Sequence, residues 1–147
     1  MDKGQTAVLL SIFILVGMVF LVPAMIEKAL AGVNAVARFE GCAHCTWTVY
    51  GSHLDSGKWV VPPTASGDTV RWKTTGNPPG GNEKGVVNLE GHGEAHGIKH
   101  LTFNNPWFGR NSCSTSALTG GTNFGGSCDA GYGNNADFTY TYRVFKH

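Results

Sequence analysis

The sequence predicts a mainly β protein, an antiparallel β-sandwich head preceded by one long N-terminal hydrophobic α-helix. Three observations carry that expectation. Ala7–Ile26 is an apolar run of 20 residues without a charged side chain, and about 20 such residues span a bilayer core of roughly 30 Å. Beyond Glu40 the chain is rich in Gly, Thr, Asn and aromatic residues, the composition of short strands joined by tight turns. Several segments in that region alternate apolar and polar residues with a period of two, the pattern of strands with one face on a core.

The alternation is clearest in "ADFTYTYRVF", where Phe138, Tyr140, Tyr142 and Val144 share one face and Thr139, Thr141 and Arg143 the other. "CTWTVY" does the same with Trp47 and Val49, and "GDTVRWKT" with Val70 and Trp72. "GKWVV", "KGVVNLE" and "IKHLTF" are further candidates. Between them lie Pro62-Pro63, Asn77-Pro78-Pro79-Gly80-Gly81, Gly91-His92-Gly93 and Asn104-Asn105-Pro106, all turn formers. Some six to eight strands at this spacing, with no βαβ pattern, indicate a sandwich or barrel.

The helix is expected to continue past the apolar run. In "IEKALAGVNAVARF", Ile26, Leu30, Val33 and Ala37 fall at helical spacing, with Val36 and Phe39 beside them. Pro23 would kink such a helix rather than end it. The expected organisation is a leader (1–4), a stem helix (5–40) and a β-sandwich (46–147).

The fate of the first forty residues decides how the head is displayed. Ala29-Leu30-Ala31 before Gly32 would suit a signal-peptide cleavage site. The same run can instead stay as a membrane anchor, with Lys3 as the only charge favouring an N-terminus inside. "KGQTAVLLSIFILVG" also resembles the leader of type IV pilins and their archaeal and tight-adherence relatives. That resemblance implies cleavage between Gly4 and Gln5, and an apolar helix, including Leu9, Leu10, Ile12, Phe13, Phe20 and Pro23, that assembles as anchor or fibre core. Leu9 stands where many bacterial pilins carry Glu, which points toward the archaeal or tight-adherence types.

The net charge of +1 and the absence of a Lys/Arg cluster give no reason to expect nucleic acid as a partner. Four cysteines, Cys42, Cys45, Cys113 and Cys128, follow an export-competent segment, a setting that favours disulfides. Cys42-Ala43-His44-Cys45 lacks the strand–helix context of a redox pair, and Cys113 and Cys128 are too far apart to complete a zinc site with it. The preferred pairings are Cys113–Cys128, closing a glycine-rich loop, and Cys42–Cys45. The alternative ties each of Cys42 and Cys45 to one of the later two and fastens the stem to the sandwich.

His92, His96 and His100 recur at intervals of four, but Gly91, Gly93 and Gly97 oppose the helix that would align them. They read as loop histidines, with a metal or a pH response as the competing reading. No metal or other cofactor is expected. Trp107-Phe108 follow Asn105-Pro106 in a turn. Neighbouring side chains in extended chain point opposite ways, so one of the two is expected to project as a contact for lipid, glycan or protein. No nucleophile–base–acid set, nucleophile elbow or phosphate loop is present in the sequence, so no enzyme is expected.

"SGKWVVPPTASGDTVRWKTT", "LTFNNPWFGRNSCS" and "GYGNNADFTYTYRV", in that order over Thr46–Val144, resemble the aegerolysins and their bacterial crystal-protein-like relatives. The resemblance implies a single-domain β-sandwich that binds membrane lipids, in some members as one component of a pore-forming pair. The leading expectation is a non-enzymatic, surface-anchored, pilin-like subunit displaying this head. Its partners would be membrane lipid or copies of itself, and it would sit in a membrane or an extracellular fibre. The alternatives are a secreted aegerolysin-like lipid-binding or cytolytic protein, and a virion membrane protein with a receptor-binding head.

Overall fold

A computed structural model describes residues 32–76, 81–119 and 123–146. Gly4, Gln5, the anchor positions Leu9, Leu10, Ile12, Phe13, Phe20 and Pro23, and the stem up to residue 31 lie outside the described residues.

Among the described residues nine strands form two sheets: β1 (Gly32–Phe39), β2 (Thr46–Ser56), β3 (Lys58–Ser66), β4 (Thr69–Thr75), β5 (Glu83–His92), β6 (Gly97–Asn105), β7 (Ser112–Ala117), β8 (Phe124–Asp129) and β9 (Asn135–Val144). The first sheet runs β3-β4-β1-β9-β8 and the second β2-β5-β6-β7. The candidates from "CTWTVY" to "ADFTYTYRVF" all become strands, because each can give one face to the core and the other to water.

Gly32–Phe39, expected as the end of a helix, is instead a strand at the centre of the first sheet. Val33, Ala35, Ala37 and Phe39 are all buried, a period of two that the helical spacing of Val33 and Ala37 concealed. β1 lies antiparallel to β4 and parallel to β9, so the first sheet is mixed rather than purely antiparallel. The sandwich therefore begins at Gly32 and not at Thr46. Pro62-Pro63, expected as a turn, lie inside β3, where the register with β4 shifts between Val61 and Thr64. β3 is an edge strand, and an edge tolerates residues that cannot donate to a ladder.

Aromatic rings fill the space between the sheets. Phe39 stacks on Trp47 at 4.0 Å between centroids, and Phe124 and Tyr142 meet that pair edge-on. A second group gathers Trp72, Phe103, Phe138 and Tyr140. The Tyr140 hydroxyl donates to the Thr102 carbonyl at 2.7 Å, joining β9 to β6 across the sheets.

Both disulfides pair near neighbours. Cys42–Cys45 closes the turn between β1 and β2, and Cys113–Cys128 joins β7 to β8 across 6.2 Å between Cα atoms. β7 and β8 are edge strands of opposite sheets, so the second bridge closes one side of the sandwich. All nine strands, both disulfides and the buried core lie between Gly32 and Val144. A chain beginning at Ala31 keeps every contact described.

Candidate functional site: the aromatic loop end

Strand direction sorts the loops into two ends. β4 and β6 end, and β1, β5 and β9 begin, at the end carrying the β6–β7 loop (Pro106–Asn111) and the β8–β9 loop (Ala130–Asn134). Asn105, fully buried at the end of β6, anchors this end. Its Nδ2 donates to the Asn134 carbonyl at 2.7 Å and to Glu83 Oε2 at 2.9 Å. The Asn134 carbonyl also accepts the Gly32 backbone N–H at 2.9 Å, which places the start of β1 at the same end.

The two loops are tied to each other. Asn111 Nδ2 donates to the Gly133 carbonyl at 2.9 Å, and the Trp107 backbone N–H donates to Asn82 Oδ1 at 2.6 Å. Gly131 takes a positive φ of 59°, and a Cβ there would run into the Asp137 backbone. These constraints hold the loops while leaving two large rings in solvent: Phe108 is 85% exposed and Tyr132 94% exposed. Trp107 is half-buried and meets Phe108 edge-on at 6.2 Å between centroids. Of the two rings in this pair, Phe108 is the one that faces solvent. A cleft of about 360 Å³ between the loops is lined by Arg110, Asn111, Asp129 and Tyr132, among others.

Tyr132 was not singled out by sequence reasoning. Its signal is Gly131-Tyr132-Gly133 between two strands: glycine neighbours give the ring nothing adjacent in sequence to pack on.

Beneath the loops, Glu83 is fully buried. Desolvation pushes its carboxyl up from 4.5 to about 7, against the opposing effect of hydrogen bonds from Asn105 and the Gly76 backbone. Glu83 Oε1, Asn105 Oδ1 and Thr74 Oγ1 are buried here without a hydrogen-bond partner. Burial strips the ionised carboxylate of its water, which is the physical reason the neutral form is favoured.

The histidines do not converge. His92 Nε2 lies 2.7 Å from Thr48 Oγ1, His100 Nδ1 lies 2.8 Å from Asn88 Oδ1, and His96 sits in the β5–β6 turn at the opposite end. Among the described residues no group of His, Cys, Asp or Glu side chains is placed to hold a metal ion.

No protein-family model matches this chain, and no curated protein matches it in sequence. Solved structures do match its fold. The RahU protein, crystallised with a TRIS molecule, aligns over 80% of this chain and 97% of its own, with a TM-score of 0.58 and 14% identity. IP-1A from Alcaligenes faecalis aligns over 80% of this chain and 94% of its own, at TM-score 0.56 and 14% identity. Nakanori, described as a lipid binding protein, aligns over 76% of this chain and 70% of its own, at TM-score 0.54 and 11% identity. The class defined by this geometry is a two-sheet β-sandwich of the kind RahU, IP-1A and Nakanori share.

Proposed function

We propose that the sandwich is a lipid-surface-binding head that meets a bilayer through its aromatic loop end. The observation that carries this reading is the pair of solvent-exposed rings, Phe108 and Tyr132, on two loops locked by Asn105 and Asn111. Rings held out in water at a loop tip withdraw apolar surface from solvent only when a partner covers them. Aromatic side chains with a polar neighbourhood suit the boundary between headgroups and acyl chains. The fold likeness to Nakanori, a lipid binding protein, supports the same reading. It corresponds to the aegerolysin-like alternative rather than to a pilin-like fibre subunit.

The test uses a chain beginning at Ala31, sedimented with vesicles of defined composition. Burial of one aromatic side chain contributes about 1.5–3 kcal/mol. The double variant Phe108→Ser, Tyr132→Ser is therefore expected to weaken vesicle binding by at least about a hundredfold while leaving the fold intact. Binding to no vesicle of any composition, or equal binding by the double variant, refutes the proposal.

A surface-anchored form of the same head is a second reading, favoured by the apolar run Ala7–Ile26. The chain reaches β1 at Gly32, at the end that carries the aromatic loops. N-terminal sequencing of native material separates the forms. A start at Met1 indicates an anchor, a start at Gln5 indicates pilin-type processing, and a start near Gly32 indicates a secreted head.

A further inference from the structure

The outer face of the first sheet carries a second concavity, on a broad face of the sandwich rather than among the loops. Its volume is about 390 Å³, and its lining includes Asn34, Val36, Val61, Arg71, Lys73 and Asp137. Strand register sets these side chains in two rows. Val61, Lys73, Asn34 and Asp137 stand side by side across β3, β4, β1 and β9. Thr64, Arg71, Val36 and Thr139 form the next row on the same face.

Charge is distributed unevenly across this grid. Arg71 and Lys73 are both exposed on β4, and neither has an ion-pair partner among the described residues. Asp137 lies two strands away and accepts a hydrogen bond from Asn34 Nδ2 at 3.3 Å. Two strand spacings separate the Lys73 and Asp137 backbones by about 10 Å. Val36 is half-buried and Val61 is 44% exposed, so the groove has an apolar floor and wall.

We propose that this groove binds a sugar acid, a single pyranose bearing one carboxylate, at the end of an acidic glycan. The carboxylate pairs with Arg71 and Lys73, where a planar guanidinium can engage both oxygens. Ring hydroxyls on the far side donate to Asp137 and exchange hydrogen bonds with Asn34 and Thr139. The aliphatic face of the ring covers Val36 and Val61. Asp137 also decides what is rejected: a second anionic group on the ligand would stand against its carboxylate, so polyanions such as sulfated polysaccharides or nucleic acid do not fit. The groove shares only Asp137 with the aromatic loop end, through its backbone beneath Gly131, and neither exposed ring lines it, so it stands or falls independently of lipid binding.

Calorimetric titration of the full-length chain in neutral detergent micelles with N-acetylneuraminic acid, D-glucuronic acid, D-glucose and inorganic phosphate tests the proposal. Saturable binding of at least one sugar acid is expected, with none of D-glucose over the same concentration range. Arg71→Gln and Lys73→Gln are each expected to weaken it by about tenfold, the loss of one charge-assisted contact. Lys84→Gln, which changes an exposed cation paired to Asp55 on the other sheet, leaves it unchanged. Failure of both sugar acids to bind overturns the proposal. So does binding indifferent to Arg71 and Lys73, or phosphate binding as tightly as the sugar acids.

Discussion

Glu83 makes the stability of this domain depend on pH in an unusual direction. Its carboxyl is fully buried, receives hydrogen bonds from Asn105 and the Gly76 backbone, and titrates near 7 in the folded chain instead of at 4.5. A carboxyl whose folded value lies above its unfolded value is held against ionisation by the fold. Its contribution to stability is complete below 4.5, falls as the pH rises through the interval, and is lost above about 7. The interval from 4.5 to about 7 corresponds to about 3 kcal/mol. Glu83→Gln keeps the volume and an oxygen for Asn105 and Gly76 but cannot ionise. Denaturant unfolding followed by tryptophan fluorescence, for both proteins from about pH 4.5 to pH 8, isolates the effect, because the two proteins differ only at residue 83. The stability of the variant relative to the parent should rise by about 3 kcal/mol across that range. Parallel curves for the two proteins would show that the fold does not raise the Glu83 carboxyl above its unfolded value.

Other outcomes follow from the packing. Replacing Cys113 and Cys128 together by Ser should cost about 3 kcal/mol and lower Tm by roughly 10 °C in calorimetry, the value of closing a loop of this length. Phe39→Ala removes the ring stacked on Trp47 and should cost about 3–5 kcal/mol in the same assay, whereas a Phe39 on an exposed stem would cost almost nothing. Gly93 has a φ of 82° and a Cβ there would strike the His44 carbonyl, so Gly93→Ala should destabilise by about 1–3 kcal/mol in denaturant titration. The Phe108→Ser, Tyr132→Ser protein should unfold within about 0.5 kcal/mol of the parent, since both rings already face water.

Strands whose two faces differ sharply were legible from the chain alone. Phe138, Tyr140 and Tyr142 alternate with Thr139, Thr141 and Arg143, and the first three are fully buried. β1 was not legible, because Ile26, Leu30, Val33 and Ala37 suit a helix that extends the preceding apolar run. Only pairing with β4 and β9, distant in sequence, selects the strand, as tertiary context overrides local propensity. β7 and β8 were hidden for another reason. Ser, Thr and Gly dominate both, and of their residues only Phe124 is buried; their regularity comes from β6, β9 and the bridge between Cys113 and Cys128. At the loop end, Asn105-Pro106-Trp107-Phe108 announced itself as a turn with a spare aromatic. Its neighbour Tyr132 could be placed beside it only once β9 was known to run parallel to β1.

That parallel pairing has a bearing on how the polypeptide matures. Gly32–Phe39 needs Asn135–Val144 as a neighbour along its whole length, yet the second segment is made last of the nine described strands. Until then one flank of β1 is an open template beside Val33, Ala37 and Phe39, the kind of edge to which another nascent copy can add. With β1 waiting on β9, the sandwich cannot finish folding before Asn135–Val144 has been made. A truncation just before Asn135 should therefore yield aggregates rather than a shorter stable sandwich.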